Sequence, residues 1–204
     1  MDKRHLTASA LLASALVLSA CGDSGDDTAA STSSTGSTGS STAAETAQGN
    51  DADIAFLVGM TPHHEQAVEM SEMVLAADPP AEVAAIAQQV KDAQAPEIEQ
   101  MKMMLTDLGE EPAGEVHSGG HSAGMAGHGG MMSDADMDAL MDATGTDAAR
   151  LDLEGMIAHH QGAIEASDAQ IADGQYEPAT ELAEQIKAAQ ADEITEMQDL
   201  LQSL

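Results

Sequence analysis

Two copies of one short string carry the residues best suited to chemistry: Met60-x-x-His63-His64 and Met156-x-x-His159-His160. On a helix, Met60, His63, His64 and Ala67 fall at i, i+3, i+4 and i+7, so one thioether and two imidazoles share a side with a small residue beside them. Met156, His159, His160 and Ala163 repeat the arrangement. Imidazole plus thioether without thiolate suits Cu(I), with Cu(II) accepted through the imidazoles, whereas structural zinc would want thiolates or a tetrahedral histidine and carboxylate set. A lone helical histidine is commonly a packed core or surface residue. Recurrence in both copies turns the pattern toward metal ligation, and the predicted cofactor is copper, Cu(I) above Cu(II).

Between the copies, Gly114 to Met132 is rich in Gly, His and Met. His117, His121, Met125, His128, Met131 and Met132 sit among glycines in a stretch with no core to pack, the composition of a metal-capture arm or of a plain linker. Glu97 and Glu193 fall within an apolar stripe, flanked by Gln94 and Gln190. A carboxylate there needs a partner, either solvent at the stripe edge or a histidine of the paired helix that it would orient for a metal. Met70 and Met73 continue the first helix. Met101 and Met197, on the stripe, read as core filler. Catalytic patterns fail: His64-Glu65 lacks the second histidine of a zinc protease helix, no Glu-x-x-His pair supports a di-iron bundle, and no Gly-rich phosphate loop is present.

The elements that position these residues follow from an internal repeat. Sliding the chain by about 96 residues aligns Gly59 to Leu108 with Gly155 to Leu204 without a gap, at about 19 identities in those positions. Each copy reads as a helical hairpin. In the first, Asp51 or Asp53 caps a helix that runs to about Ala77 and is stopped by Asp78-Pro79-Pro80; its partner runs from about Ala81 to Leu108 and ends at Gly109. In the second, Thr146 or Asp147 starts the first helix, Asp173-Gly174 ends it, and Pro178 suits a first turn. Ile86, Val90, Ala93, Ile98, Met101, Leu105 and Leu108 form a stripe that Leu182, Ile186, Ala189, Ile194, Met197, Leu201 and Leu204 repeat. Pro96 is expected to kink or restart its helix. The fold class predicted is all-α, a four-helix bundle of two duplicated hairpins (about 51–108 and 146–204) joined by a Gly/His/Met-rich loop (109–132) and a short helix capped by Ser133 (about 133–144).

The N-terminal segment has the layout of an export signal: Lys3 and Arg4, then an apolar run from Leu6 to Ala20. It ends in Leu18-Ser19-Ala20-Cys21, similar to a bacterial lipobox, so residues 1–20 read as a lipoprotein signal peptide and Cys21 as the lipidated residue and the link to a membrane. Cys21 is the only cysteine, which removes disulfide chemistry. Residues 21–50 are mostly Ser, Thr, Gly, Ala and Asp without a large apolar side chain and read as a flexible tether. The formal charge of -30, from 36 acids against 6 bases, excludes a basic nucleic-acid footprint and makes cations the natural partners; no protein partner is legible.

The strings GMTPHHEQAVEM and GMIAHHQGAIEA, followed by AQAPEIEQM and AQADEITEM, resemble the domain of unknown function 305 family over Asp51 to Leu204. The resemblance implies a ferritin-like helical bundle of a commonly exported family in which some members bind copper and protect cells from it. It implies Met60, His63, His64, Met156, His159 and His160 as ligands. The second copy departs from the pattern at Ala158 and Ala166, where the first has Pro62 and Met70. The function expected is an extracytoplasmic, lipid-anchored copper-binding protein for sequestration, tolerance or hand-over. Its rivals are a copper-dependent redox enzyme and a metal-free interaction module.

Overall fold

The computed structural model describes residues 48–111 and 129–204. The expected residues 1–20, Cys21, most of the tether, and His117, His121, Met125 and His128 lie outside the described residues. Within them the chain is all-helical: α1 Asp51–Ala76, α2 Ala81–Asp107, α3 Asp134–Asp142, α4 Gly145–Asp173 and α5 Glu177–Ser203. None of these helices is long and apolar enough to cross a membrane.

Helix ends follow local chemistry, with corrections to the sequence reading. The cap of α1 is Asn50 rather than Asp51 or Asp53: its side chain accepts from the Ala52 and Asp53 amides while Asp53 accepts from the Asn50 amide, a reciprocal capping box. Helix α4 starts earlier than Thr146, at Gly145, after Thr144. Ser133 caps α3 through the Asp136 amide, and α3 ends at Asp142. Helix α2 runs through Pro96 without a restart. Pro96 lies on the solvent face, where water can satisfy the carbonyl that its ring displaces.

Helix α1 packs along α2 and α4 along α5, and the hairpins meet chiefly through α1 and α4. These two run antiparallel. Asn50 Nδ2 donates to the Asp173 carbonyl at 2.8 Å at one end, and the Gly145 amide donates to the Ala77 carbonyl at 2.7 Å at the other. The apolar core is split in two. One cluster holds Ala67, Met70 and Val74 of α1, Val83, Ile86 and Val90 of α2, Leu153 and Met156 of α4 and Met197 of α5. The other holds Phe56, Leu57 and Met60 of α1, Ile98, Met101 and Leu105 of α2, Ala163 of α4 and Leu182 and Ile186 of α5. On every long helix the switch between clusters falls at the same depth, and the buried residues at the switch are polar: His63 and His64, Gln94, His159 and His160, Gln190 and Glu193.

The stripes of α2 and α5 are therefore rotated from the apolar count. Ala93 and Ala189 are exposed, and their neighbours Gln94 and Gln190 point inward instead. An alanine gains little from burial, so the larger side chains around it decide which face turns in.

Asp53 fastens the far end of this frame. Fully buried, it accepts from Gln170 Nε2 at 2.6 Å and from the Gln175 and Tyr176 amides at 3.1 Å, besides Asn50. Burial alone would raise its carboxyl, but the hydrogen bonds from Asn50, Gln170, Gln175 and Tyr176 outweigh burial and hold it below its ordinary value. Asp53→Ala should cost about 3 kcal/mol or more at pH 7, since it strands several buried donors. Asp51→Ala, two residues earlier and exposed, should cost less than about 1 kcal/mol. Urea denaturation of the two variants checks the contrast.

Candidate metal centre

The polar layer is built from the two His-His strings. Consecutive helical residues are about 100° apart around the axis, so the histidines of one string cannot face the same neighbour. His63 turns across the interface to His159, with ring centroids 3.6 Å apart and planes inclined by 39°. His64 turns to the second helix of its own hairpin, where Nε2 meets Glu97 Oε2 at 2.9 Å; His160 does the same with Glu193 Oε2 at 2.9 Å. Within each string the centroids are 6.4 and 6.3 Å apart. The duplication thus yields one central imidazole pair flanked by two equivalent His–Glu pairs. All four rings are fully buried.

A carboxylate only accepts, so each His–Glu contact places a proton on Nε2, and in the neutral imidazole Nδ1 is then the lone pair. Nδ1 of His64 and of His160 has no hydrogen-bond partner among the described residues. Glu193 is held further by Gln89 Nε2 at 3.1 Å, from the other hairpin. His159 is pushed well below the ordinary imidazole value, first by burial and then by the neighbouring His63, His160 and His64. His159 is therefore neutral at physiological pH. Met60 and Met156, one helical turn from the central rings, are buried at 0% and 1% exposure, one in each apolar cluster. Among the described residues no three His, Cys, Asp or Glu side chains converge in a geometry that could hold a metal ion. Nitrogen donors come in pairs here, and completing a site needs thioethers.

The end of the interhelix loop seats against this layer. The Gly129 carbonyl lies 3.4 Å from His63 Nε2, and Gln66 clasps the backbone of Met132, donating to its carbonyl at 3.0 Å and accepting from its amide at 2.9 Å. On the opposite helix, Gly162 makes room: a Cβ there would stand 1.4 Å from the Gly129 carbonyl oxygen. Gln66 and Gly162 occupy the same position of the two copies, so the departure from the repeat is what seats the loop. Met132 packs on one core cluster, and Met131 is exposed. Sequence reasoning passed over Gln66 and Gly162, although a Gln-to-Gly difference between copies was a visible signal.

Residues 26–201 match DUF305, a domain of unknown function. The chain belongs to the DUF305 family. Among solved structures it is similar to a DUF305 fragment from Deinococcus radiodurans (31% identity, TM-score 0.65, covering 76% of this chain and 98% of that one). It is also similar to a DUF305 protein from Streptomyces coelicolor classed as secreted (28%, TM-score 0.67, 74% and 93%). A third relative is CopM in its Cu(I)-bound form (26%, TM-score 0.61, 74% and 96%). No curated protein matches the chain in sequence.

This DUF305 bundle buries one more carboxyl. Asp152, 2% exposed, lies on the α4 face of Met156 and His159, two turns before the histidine, and its Oδ1 has no hydrogen-bond partner among the described residues. Burial pushes it up to about 7. Between the ordinary carboxyl value and 7 the folded chain holds a proton that the unfolded chain releases, so this group costs stability as pH rises through that window. Asp152→Asn should therefore match wild type near pH 4 and exceed it by up to about 4 kcal/mol above pH 7. Denaturant melts at both pH values check the sign.

Proposed function

We propose that this DUF305 protein binds copper outside the cytoplasm, carried on a membrane by a lipid at Cys21, and stores or hands on the metal without catalytic turnover. The observation that carries the reading is the pair of His–Glu contacts, His64 with Glu97 and His160 with Glu193. A carboxylate that takes the Nε2 proton fixes the tautomer and raises the basicity of the other nitrogen, as carboxylates do behind metal-bound imidazole. The bare, buried Nδ1 atoms are costly if left empty, about 1 to 3 kcal/mol each. A soft cation would satisfy them.

The donor chemistry favours Cu(I). His63, His64, His159 and His160 supply imidazole nitrogen, and Met60 and Met156 supply thioether sulfur in a dry interior, a set that rewards a soft ion of low coordination number. Zinc would need three or four nitrogen, thiolate or carboxylate donors, and no such group converges among the described residues. CopM, at 26% and 27% identity, has been solved with Cu(I) and with Cu(II) bound, and at 25% identity with silver. That precedent supports the same ions here. His117, His121, Met125, His128, Met131 and Met132 form a capture arm in this reading, with its C-terminal end seated beside His63. Export is supported by the lipobox-like Leu18 to Cys21 and by the Streptomyces relative.

The full chain is expected to bind Cu(I) more tightly than Zn(II) in competition with a chromogenic chelator; equal or stronger zinc binding removes the copper assignment. Replacing His63 and His64 together, or His159 and His160 together, by Gln should abolish high-affinity copper binding at that half with helix content unchanged. Because His63 and His159 are in ring contact, either double change should also weaken the other half. Full copper retention with lowered thermal stability would instead make the layer a packing device.

Deleting residues 114–127, which spares the seated Gly129 to Met132, should lower the copper count and leave the circular dichroism spectrum unchanged. An unchanged count would reduce the arm to a linker.

A further inference from the structure

Gly155 lies on the α4 face between Asp152 and Met156, and it is the meeting point of two thioether side chains from other elements. A Cβ built on it would stand 2.7 Å from Met132 Sδ and 3.3 Å from Met70 Cε, so the two chain ends lie within about 6 Å of each other. Asp152 is three residues before Gly155, and residues at that helical spacing are neighbours, about 5–6 Å apart at Cβ. Asp152 therefore neighbours the point where the half-buried Met132 and the buried Met70 meet, and Met156 borders it one turn on.

Among the described residues no ion pair joins a lysine or arginine to Asp152. Lys91 pairs with Glu72, Lys102 with Glu65 and Glu99, and Lys187 with Asp168, while Arg150 is exposed two residues away on the far side of α4. A buried carboxyl needs a partner that is positive or donates a proton. Beside it, at Gly155, stand the thioether ends of Met132 and Met70.

The other copy lacks each part. Phe56 occupies the position of Asp152, Ala166 that of Met70, and no residue of the repeat corresponds to Met132. The patch is thus an addition to one end of the bundle, next to α3, and stands apart from the histidine layer that the duplication built.

We propose that Asp152, Met132 and Met70 form a second, separate site for a soft monovalent cation, Cu(I) or Ag(I). Two thioethers select the soft ion, and the single carboxylate neutralises its single charge in the dry interior. Gln66 is its positioning residue: by holding both polar groups of the Met132 backbone it fixes the thioether over Gly155. The site rests on the copper reading for its ligand but uses none of the histidines. Gly155 is required because any side chain there would fill the space where the sulfur sits.

The test is anaerobic titration of the full chain with Cu(I), and separately with Ag(I), counting equivalents against a chromogenic chelator. Variants are Met132→Leu, Asp152→Asn, Gln66→Ala, and the double change His63→Gln with His159→Gln. Met132→Leu and Asp152→Asn should each lose one equivalent of both ions with an unchanged circular dichroism spectrum. Gln66→Ala should keep that equivalent at about tenfold lower affinity. The histidine double variant should retain it, with sulfur and one oxygen seen by X-ray absorption. Full stoichiometry in Met132→Leu and Asp152→Asn overturns the second site even if the histidine variant loses its copper, which leaves the copper reading standing. A wild-type chain that takes up neither ion overturns both.

Discussion

A layer of polar side chains crosses the middle of the apolar core, and the rest of the bundle is arranged to keep it dry and occupied. Four imidazoles, Gln94, Gln190 and Glu193 are all buried at one depth between the two apolar clusters. A well-packed apolar layer of the same volume would be at least as stable. The chain instead places leucine, methionine and valine above and below, and satisfies only part of the layer by cross-helix contacts: His64 to Glu97, His160 to Glu193, and Gln89 to Glu193 across the hairpins. The antiparallel pairing of α1 with α4, pinned at both ends by Asn50 and Gly145, keeps both strings at the same level.

Duplication explains the symmetry of that layer, and departures from it explain the chemistry around it. The two His–Glu contacts are equal in length and sequence separation because both copies keep His and Glu 33 residues apart. The Gln66 and Gly162 difference gives the loop end a clasp on one helix and a hollow on the other. The Asp152 and Phe56 difference puts a carboxyl into one cluster only. A repeat supplies two of everything, and a function that needs an entrance or a distinct second ligand has to break it.

Charge acts at two ranges. The excess of acids, -30 for the chain, sets a field that gathers cations, while burial and the neighbouring imidazoles keep His159 unprotonated. In the proposed copper reading, an unprotonated His159 inside an acidic shell would take a cation without first losing a proton. The lowered carboxyl of Asp53 and the raised one of Asp152 show how locally such values are decided: the first collects several hydrogen-bond donors, the second has only desolvation.

Much of this was legible from sequence, for reasons of range. Helix ends at Asp78-Pro79-Pro80 and Ser133, the hairpins, the repeat and the Met-x-x-His-His strings all depend on neighbours within a turn or two, or on comparing the chain with itself. The placement of Glu97 and Glu193 in the stripe already demanded a partner. What only the tertiary structure decided are choices among neighbours far apart in the chain. Adjacent histidines lie on different sides of a helix, so the string could not say that His63 meets His159 while His64 meets Glu97. Alanine is indifferent to burial, so Ala93 and Ala189 gave way to Gln94 and Gln190. Asp53 reads as a helix-start acid until Gln175 and Tyr176 arrive from more than a hundred residues away. Nothing in sequence sets Asp152 apart from the chain's other acids, because its burial is decided by the helices that pack on α4.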